Sequence, residues 1–162
     1  MRTRTRIGTA LAGTALALAA AALSGTGTAA ADSIAQDPAN FLVGDTVYFT
    51  YGNLANCAMR PNGDVGCDIT NGTMNWYGLQ ISNVSIDLPF LPAHPPLGPL
   101  AQHGRADSTP LTPGQPTPGS GYGPDATITY GGATCIGSGF RGQVTCNSKG
   151  HHFSFGFTTG YN

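Results

Sequence analysis

Residues 56–67 read NCAMRPNGDVGC, and two of the chain's four cysteines, Cys57 and Cys67, flank the Pro61-Asn62-Gly63-Asp64 run. That run has the chemistry of a three-residue hairpin loop. Proline and asparagine occupy the centre of a type I turn, and Gly63 takes the left-handed conformation that closes it with a bulge. Such a loop sets Arg60 opposite Asp64. Pairing then runs outward through Met59–Val65, Cys57–Cys67 and Ala55–Ile69 on one face, with Asn56–Asp68 on the other. One face is apolar and the other polar, as a half-buried hairpin requires. A slip of one residue would put Cys57 against Asp68 and mix the faces. Turn chemistry and hydrophobic pattern therefore select one register, and it brings the two cysteines face to face.

Working outward, Thr46 to Tyr51 alternates Val47, Phe49 and Tyr51 with polar neighbours and reads as a strand leading into the hairpin. Trp76 to Asp87 is rich in strand formers, with a phase slip at Ser82-Asn83 that suggests a bulge or two short strands. Ala126–Tyr130, Ala133–Ile136 and Gln143–Asn147 form a second hairpin block. His152 to Thr158 places Phe153, Phe155 and Phe157 on one face. Between the blocks, residues 88–125 hold ten of the twelve prolines, which excludes a helix or a central strand. Leu88 to Leu100 is apolar enough to lie on the domain surface, and the Ser/Thr/Pro stretch after it reads as a solvated linker. No helix is evident downstream of the leader. The expected fold is all-β: a small, disulfide-stapled antiparallel sandwich or open barrel over 45–162, interrupted by the Pro-rich segment 88–125.

The N-terminus reads as a secretory signal peptide, residues 1–31. Arg2, Arg4 and Arg6 precede an Ala/Leu-rich stretch, and Ala29-Ala30-Ala31 fits a cleavage site. Gly13, Thr14, Ser24 and Gly25 interrupt the apolar core, which suits removal better than a permanent span. Residues 32–44 read as a loose tail. Beyond residue 31, Arg60, Arg105, Arg141 and Lys149 face eight aspartates and no glutamate, four positive against eight negative, a net charge of −4. Without a basic patch, neither nucleic acid nor an anionic membrane is an expected partner. The localisation implied is extracellular or envelope-associated, with no membrane span after signal removal.

An exported small chain with four cysteines calls for disulfides. Zinc knuckles need closely spaced ligands and redox motifs need two intervening residues. Here nine and ten residues intervene. The hairpin register selects Cys57–Cys67 and leaves Cys135–Cys146. For the second pair, a type I turn with a Gly142 bulge would set Cys135 opposite Asn147, and a further bulge among Gly137, Ser138 and Gly139 would restore it. No cofactor and no metal is expected.

Several motifs carry a resemblance. Gly52-Asn53 leads to Cys57; Val65-Gly66-Cys67-Asp68-Ile69 closes the first hairpin. Val144-Thr145-Cys146 is followed by Gly150-His151-His152-Phe153. Together they resemble a group of small secreted actinobacterial proteins of uncharacterised function with paired-cysteine β-hairpins. That resemblance implies export and a disulfide-stapled β fold, and brings no catalytic residues.

Candidate functional residues are few. His151 and His152 open the last strand, and neighbours along a strand face opposite ways. One of them could act as a general base with Asp68 or Asp45, against a structural role at the strand's start. Asp68 otherwise pairs across the strand with Asn56. Trp76, Tyr77, Tyr48 and Tyr51 form either an aromatic carbohydrate platform or simply core. Ser108, Thr109, Thr112 and Thr117 are candidates for O-linked sugars. The sequons at Asn71 and Asn83 read as chance. There is no nucleophile elbow. The leading expectation is a non-enzymatic binding or structural protein of the cell envelope. The alternatives are a secreted protease inhibitor using Leu91–Leu100, or a small hydrolase using His152 and Asp68.

Overall fold

The computed structural model describes residues 33–97, 103–116 and 121–162; the signal-peptide reading of 1–31 lies outside them. The strands are β1 (Ile34–Gln36), β2 (Leu42–Val43), β3 (Thr46–Tyr51), β4 (Ala55–Met59), β5 (Val65–Ile69), β6 (Met74–Trp76) and β7 (Leu79–Ile81). They continue with β8 (Asn83–Ile86), β9 (Thr109–Pro110), β10 (Ala126–Tyr130), β11 (Ala133–Ser138), β12 (Gln143–Ser148), β13 (His151–Phe155) and β14 (Gly160–Tyr161). No α-helix occurs among the described residues, only a short 3-10 turn at Pro38–Phe41.

The opening hairpin has the register its turn dictates. Ala55 pairs with Ile69, Asn56 with Asp68, Cys57 with Cys67 and Met59 with Val65. The Gly63 amide donates to the Arg60 carbonyl, and Gly63 sits at φ 84°. The Cys57 and Cys67 Cα atoms are 4.1 Å apart, the close spacing of a non-hydrogen-bonded antiparallel pair, and a disulfide joins them. Cys135 and Cys146 are joined in the same way. Here the expected second bulge is absent. The loop between β11 and β12 has four residues, 139–142, so Ser138 pairs with Gln143 and an unbroken ladder brings Cys135 onto Cys146.

Two sheets follow from these hairpins. One runs β1-β10-β11-β12-β13-β14, and the other β2-β3-β4-β5-β8, with β9 pairing Phe49–Thr50 of β3 past the Thr46–Val47 stretch that β2 takes. Neither closes into a barrel. Their apolar faces share one core that includes Val47, Phe49, Met59, Ile86, Ile128, Val144, Phe153, Phe155 and all four cysteines. Tyr51 bridges the sheets. Its hydroxyl donates to the Ser138 carbonyl at 2.5 Å, and its ring lies so close over Gly137 that a Cβ there would sit 2.4 Å from it. At the other end, the Ser148 hydroxyl donates to the Gly63 carbonyl, and Lys149 Nζ reaches both Asp64 and the Asp87 carbonyl.

The sequence reading is corrected in four places. Residues 33–43 are not a loose tail: β1 pairs in parallel with β10, and Phe41 is buried in the core. In the second half of the Pro-rich segment, residues 109–111 do not belong to a free linker, because β9 pairs in parallel with β3 and Leu111 is 1 % exposed. The Trp76–Asp87 stretch does divide at Ser82 into two short strands, β7 and β8, but Trp76 belongs to a further strand, and β6–β7 form a separate hairpin. Its turn, Tyr77-Gly78, has both residues at positive φ, 45° and 88°. Phe157 leaves the core face because Gly156, at φ 110°, ends the strand, and its ring packs on Arg141 instead.

Replacing Cys135 and Cys146 together by alanine is expected to lower unfolding free energy by about 2–3 kcal/mol, the worth of a loop of this length, as read from urea midpoints. Gly137→Ala is expected to cost about 1–3 kcal/mol because the new methyl must displace the Tyr51 ring; an unchanged midpoint would mean that the ring moves freely.

Candidate functional site

The polar face of the stapled hairpin is covered by the Pro-rich segment. Gly66, opposite Ser85 on β8, presents no side chain on that face. The His103 imidazole fills the space: a Cβ on Gly66 would come within 2.3 Å of the ring. His103 Nε2 lies 2.8 Å from Ser85 Oγ. The amides of His103 and Gly104 both donate to Asp68 Oδ2, at 2.8 and 2.7 Å. Asp68 thus holds the returning Pro-rich chain, while its Oδ1 is buried with no partner among the described residues.

A second histidine anchors the same strap upstream. His94, 2 % exposed, exchanges two backbone hydrogen bonds with Ser85. Its Nε2 lies 3.0 Å from Asp87 Oδ1 and its Nδ1 2.8 Å from the Pro95 carbonyl. Between strap and sheet is a cavity of about 80 Å³, lined in part by Arg60, Gly66, Ser85, Asp87, Leu97 and His103. Burial pushes the His103 imidazole below the usual histidine range; Asp68 and Asp87 pull it upward and Arg60 pushes it down, and burial prevails.

The Ser85–His103 distance suits a nucleophile and its base, but the surroundings do not complete such a site. Ser85 is 3 % exposed in mid-strand, and its amide is spent on the His94 carbonyl. The Asp68 carboxylate holds the His103 backbone amide and not its ring. The arrangement is a clasp.

The residues singled out in the sequence fall into separate places. Asp68 stands on β5 and His152 on β13, in different sheets, so the proposed acid–base pair is not assembled. His151 Nε2 lies 3.2 Å from the Pro89 carbonyl, and the His152 amide donates to Asn162 Oδ1. No ion pair links either histidine to a carboxylate among the described residues. Asp45 accepts from the neighbouring Thr46 hydroxyl. The Leu91–Leu100 segment is described as far as Leu97; its middle, Ala93-His94, is buried, which leaves Leu97 as its exposed large apolar side chain among the described residues. Ser108 and Thr109 turn their hydroxyls to the Arg105 and Asn40 carbonyls, Thr112 bonds weakly to Pro110, and Thr117 lies outside the described residues.

The four candidate aromatics also divide. Tyr51 is core, and Tyr48 lies under Arg105, whose guanidinium is 5.9 Å from the ring. Trp76 and Tyr77 stay together, ring centroids 5.1 Å apart, and are joined by Tyr161 at 5.2 Å from Tyr77. The indole Nε1 of Trp76 donates to the Ala93 carbonyl, and the Tyr77 amide donates to the Tyr161 hydroxyl. Ser85, Asp87, His94, His103 and Tyr161 were missed from sequence. The available signal was that His94 and His103, the only histidines outside the His151-His152 pair, both lie in the Pro-rich segment.

No protein-family model, curated protein or solved structure matches the chain.

The lowered His103 pKa fixes a pH dependence. Unfolding raises its pKa to the ordinary value of 6.5, so the unfolded chain takes up the proton first. The stability linked to His103 is complete above that value and is lost as pH falls below it toward the folded pKa. Urea midpoints of the native chain are expected to fall more steeply from pH 7.5 to pH 5 than those of His103→Gln. Parallel curves for the two proteins would show that the ring does not titrate in the clasp.

Proposed function

We propose that the chain is an exported, non-enzymatic binding or structural protein of a bacterial cell envelope. The observation that carries this reading is where the titratable groups are used. Asp64, Asp68, Asp87, His94, His103 and Lys149 are engaged in holding strap to sheet or sheet to sheet. These six groups are taken up in structure, while an aromatic corner faces solvent. The two buried disulfides fit an oxidising compartment. No helix among the described residues is long and apolar enough to cross a membrane. O-linked sugars on the Ser/Thr/Pro stretch belong to the same envelope reading. The inhibitor alternative loses support from the buried Ala93-His94, since an inhibitory loop has to protrude into a protease cleft.

A hydrolase reading survives in one form, because Ser85 and His103 stand at hydrogen-bond distance. Ester, peptide and glycosidic substrates separate the two. The native chain is expected to turn over none of them and to be retained saturably by isolated envelope material. Turnover abolished by both Ser85→Ala and His103→Ala would replace the binding reading with the hydrolase. Inhibition of a chymotrypsin-like protease at micromolar protein, lost in Leu97→Ala, would favour the inhibitor.

A further inference from the structure

Among the described residues, two hairpin turns place a large side chain where the backbone has positive φ. Lys149-Gly150 joins β12 to β13 and Tyr77-Gly78 joins β6 to β7, and in each both central residues have positive φ. Two-residue hairpin turns of this kind favour asparagine, aspartate or glycine at the first position, since other side chains are strained there. Strain of that sort persists where the side chain provides a compensating interaction. For Lys149 the compensation is internal: its ammonium reaches Asp64 and the Asp87 carbonyl across to the other sheet. For Tyr77 it is not. The ring is 69 % exposed, and its hydroxyl has no hydrogen-bond partner among the described residues. Trp76 and Tyr161 stand nearly at right angles to it, at 82° and 67°. They prop the ring up and leave most of it in solvent.

We propose that the Trp76–Tyr77–Tyr161 corner is a carbohydrate subsite in which a neutral pyranose stacks on the Tyr77 ring. This rests on the binding reading above and names its ligand class. Three features select that class. First, the rings are fixed before any ligand arrives. The Trp76 indole is tied to Ala93, the Tyr161 hydroxyl accepts the Tyr77 amide, and a preorganised site loses little entropy on binding. Second, the segments that carry them hold no charged side chain. No Asp, Lys or Arg occurs between Asp68 and Asp87, or from Phe153 to Asn162. An ionic ligand finds no side-chain counter-charge there, whereas a pyranose offers an apolar C–H face to an aromatic ring. Third, the same hairpin carries neutral hydrogen-bonding groups. Asn75 pairs with Gln80, on the face opposite Trp76. The Asn75 carbonyl oxygen is taken by the Gly78 amide and that of Gln80 by the Thr73 hydroxyl. That face too offers hydrogen bonds and no charged side chain. Aromatic surface with a few fixed polar groups is the usual make-up of a small-molecule site.

The test titrates the native chain with two neutral probes, cellohexaose and N-acetylated chitohexaose, following Trp76 fluorescence and heat. Saturable binding of at least one hexamer is expected. Tyr77→Gly relieves the turn, so it is expected to melt no lower than the native chain yet bind at least about tenfold more weakly, whereas Tyr77→Trp keeps the stacking surface and stays within about threefold. A Tyr77→Gly variant that melts well below the native chain would make the ring a structural prop and overturn the site. So would hexamer binding that Tyr77→Gly leaves intact, or binding of neither hexamer at millimolar concentration. Retention of envelope protein in place of glycan, unaffected by Tyr77→Gly, would also remove the sugar site while leaving the binding reading in place. Only loss of all saturable retention on envelope material removes both.

Discussion

The direct opposition of Cys57 and Cys67 across one hairpin is the constraint from which the rest of the fold is arranged. It exists because Pro61, Asn62 and Gly63 make a three-residue loop, and a loop of that length permits one register. That register puts each cysteine at a close-spaced pair on the inner face and gathers Ala55, Met59, Val65 and Ile69 beside it. The second sheet repeats the device with a four-residue loop. In both, the bridge lies inside the core, so it adds apolar volume as well as a crosslink. That is useful where the core draws heavily on small residues such as Ala55, Ala93, Ala126 and Ala133.

Joining the sheets requires backbone to approach backbone, and glycine makes this feasible at two ends. At one end the Tyr51 ring lies on Gly137. At the other, Gly131 meets the Arg60 carbonyl so closely that a Cβ would stand 2.2 Å from it. The same hairpin tip takes the Ser148 hydroxyl on the Gly63 carbonyl. The turn that sets the cysteine register is therefore also the surface on which the other sheet docks. A change at Gly63 would disturb both, since its left-handed φ and its contact with Gly131 and Ser148 coincide.

What could be read from the sequence was local. Arg60 to Asp64 specified a turn, the turn a register, and the register a disulfide, all within a dozen residues. Legibility fell off where pairing is long-range. The parallel pairings of β1 with β10 and β9 with β3 join segments far apart in the chain and leave no turn between them to recognise. The clasp at Ser85 was hidden for a related reason: the fit of His103 depends on the missing side chain of Gly66, which beside Cys67 reads only as a small strand residue. The Tyr77-Gly78 turn escaped because tyrosine stands where asparagine or glycine signals a hairpin, so the only break legible in the segment was the phase slip at Ser82-Asn83. Phe157 continued the alternation of Phe153 and Phe155 but lay past Gly156, whose backbone ends the pleat.

The charges complete the picture, because their partners show which surfaces remain open. Asp64 is held by Lys149 and Arg60, Asp87 by His94, and Asp68 by backbone amides. The two remaining cations have found rings instead of carboxylates: Arg105 lies over Tyr48, and Arg141 packs on Phe140 and Phe157. A guanidinium on an aromatic face is partly desolvated and held in one orientation, so it behaves less like a freely steering surface charge. Asp37, Asp45 and Asp107 stay exposed, so the field that is left at the surface is negative. The β6–β7 hairpin and residues 153–162 carry no charged side chain, so recognition there has to come from short-range contact with fixed neutral surface.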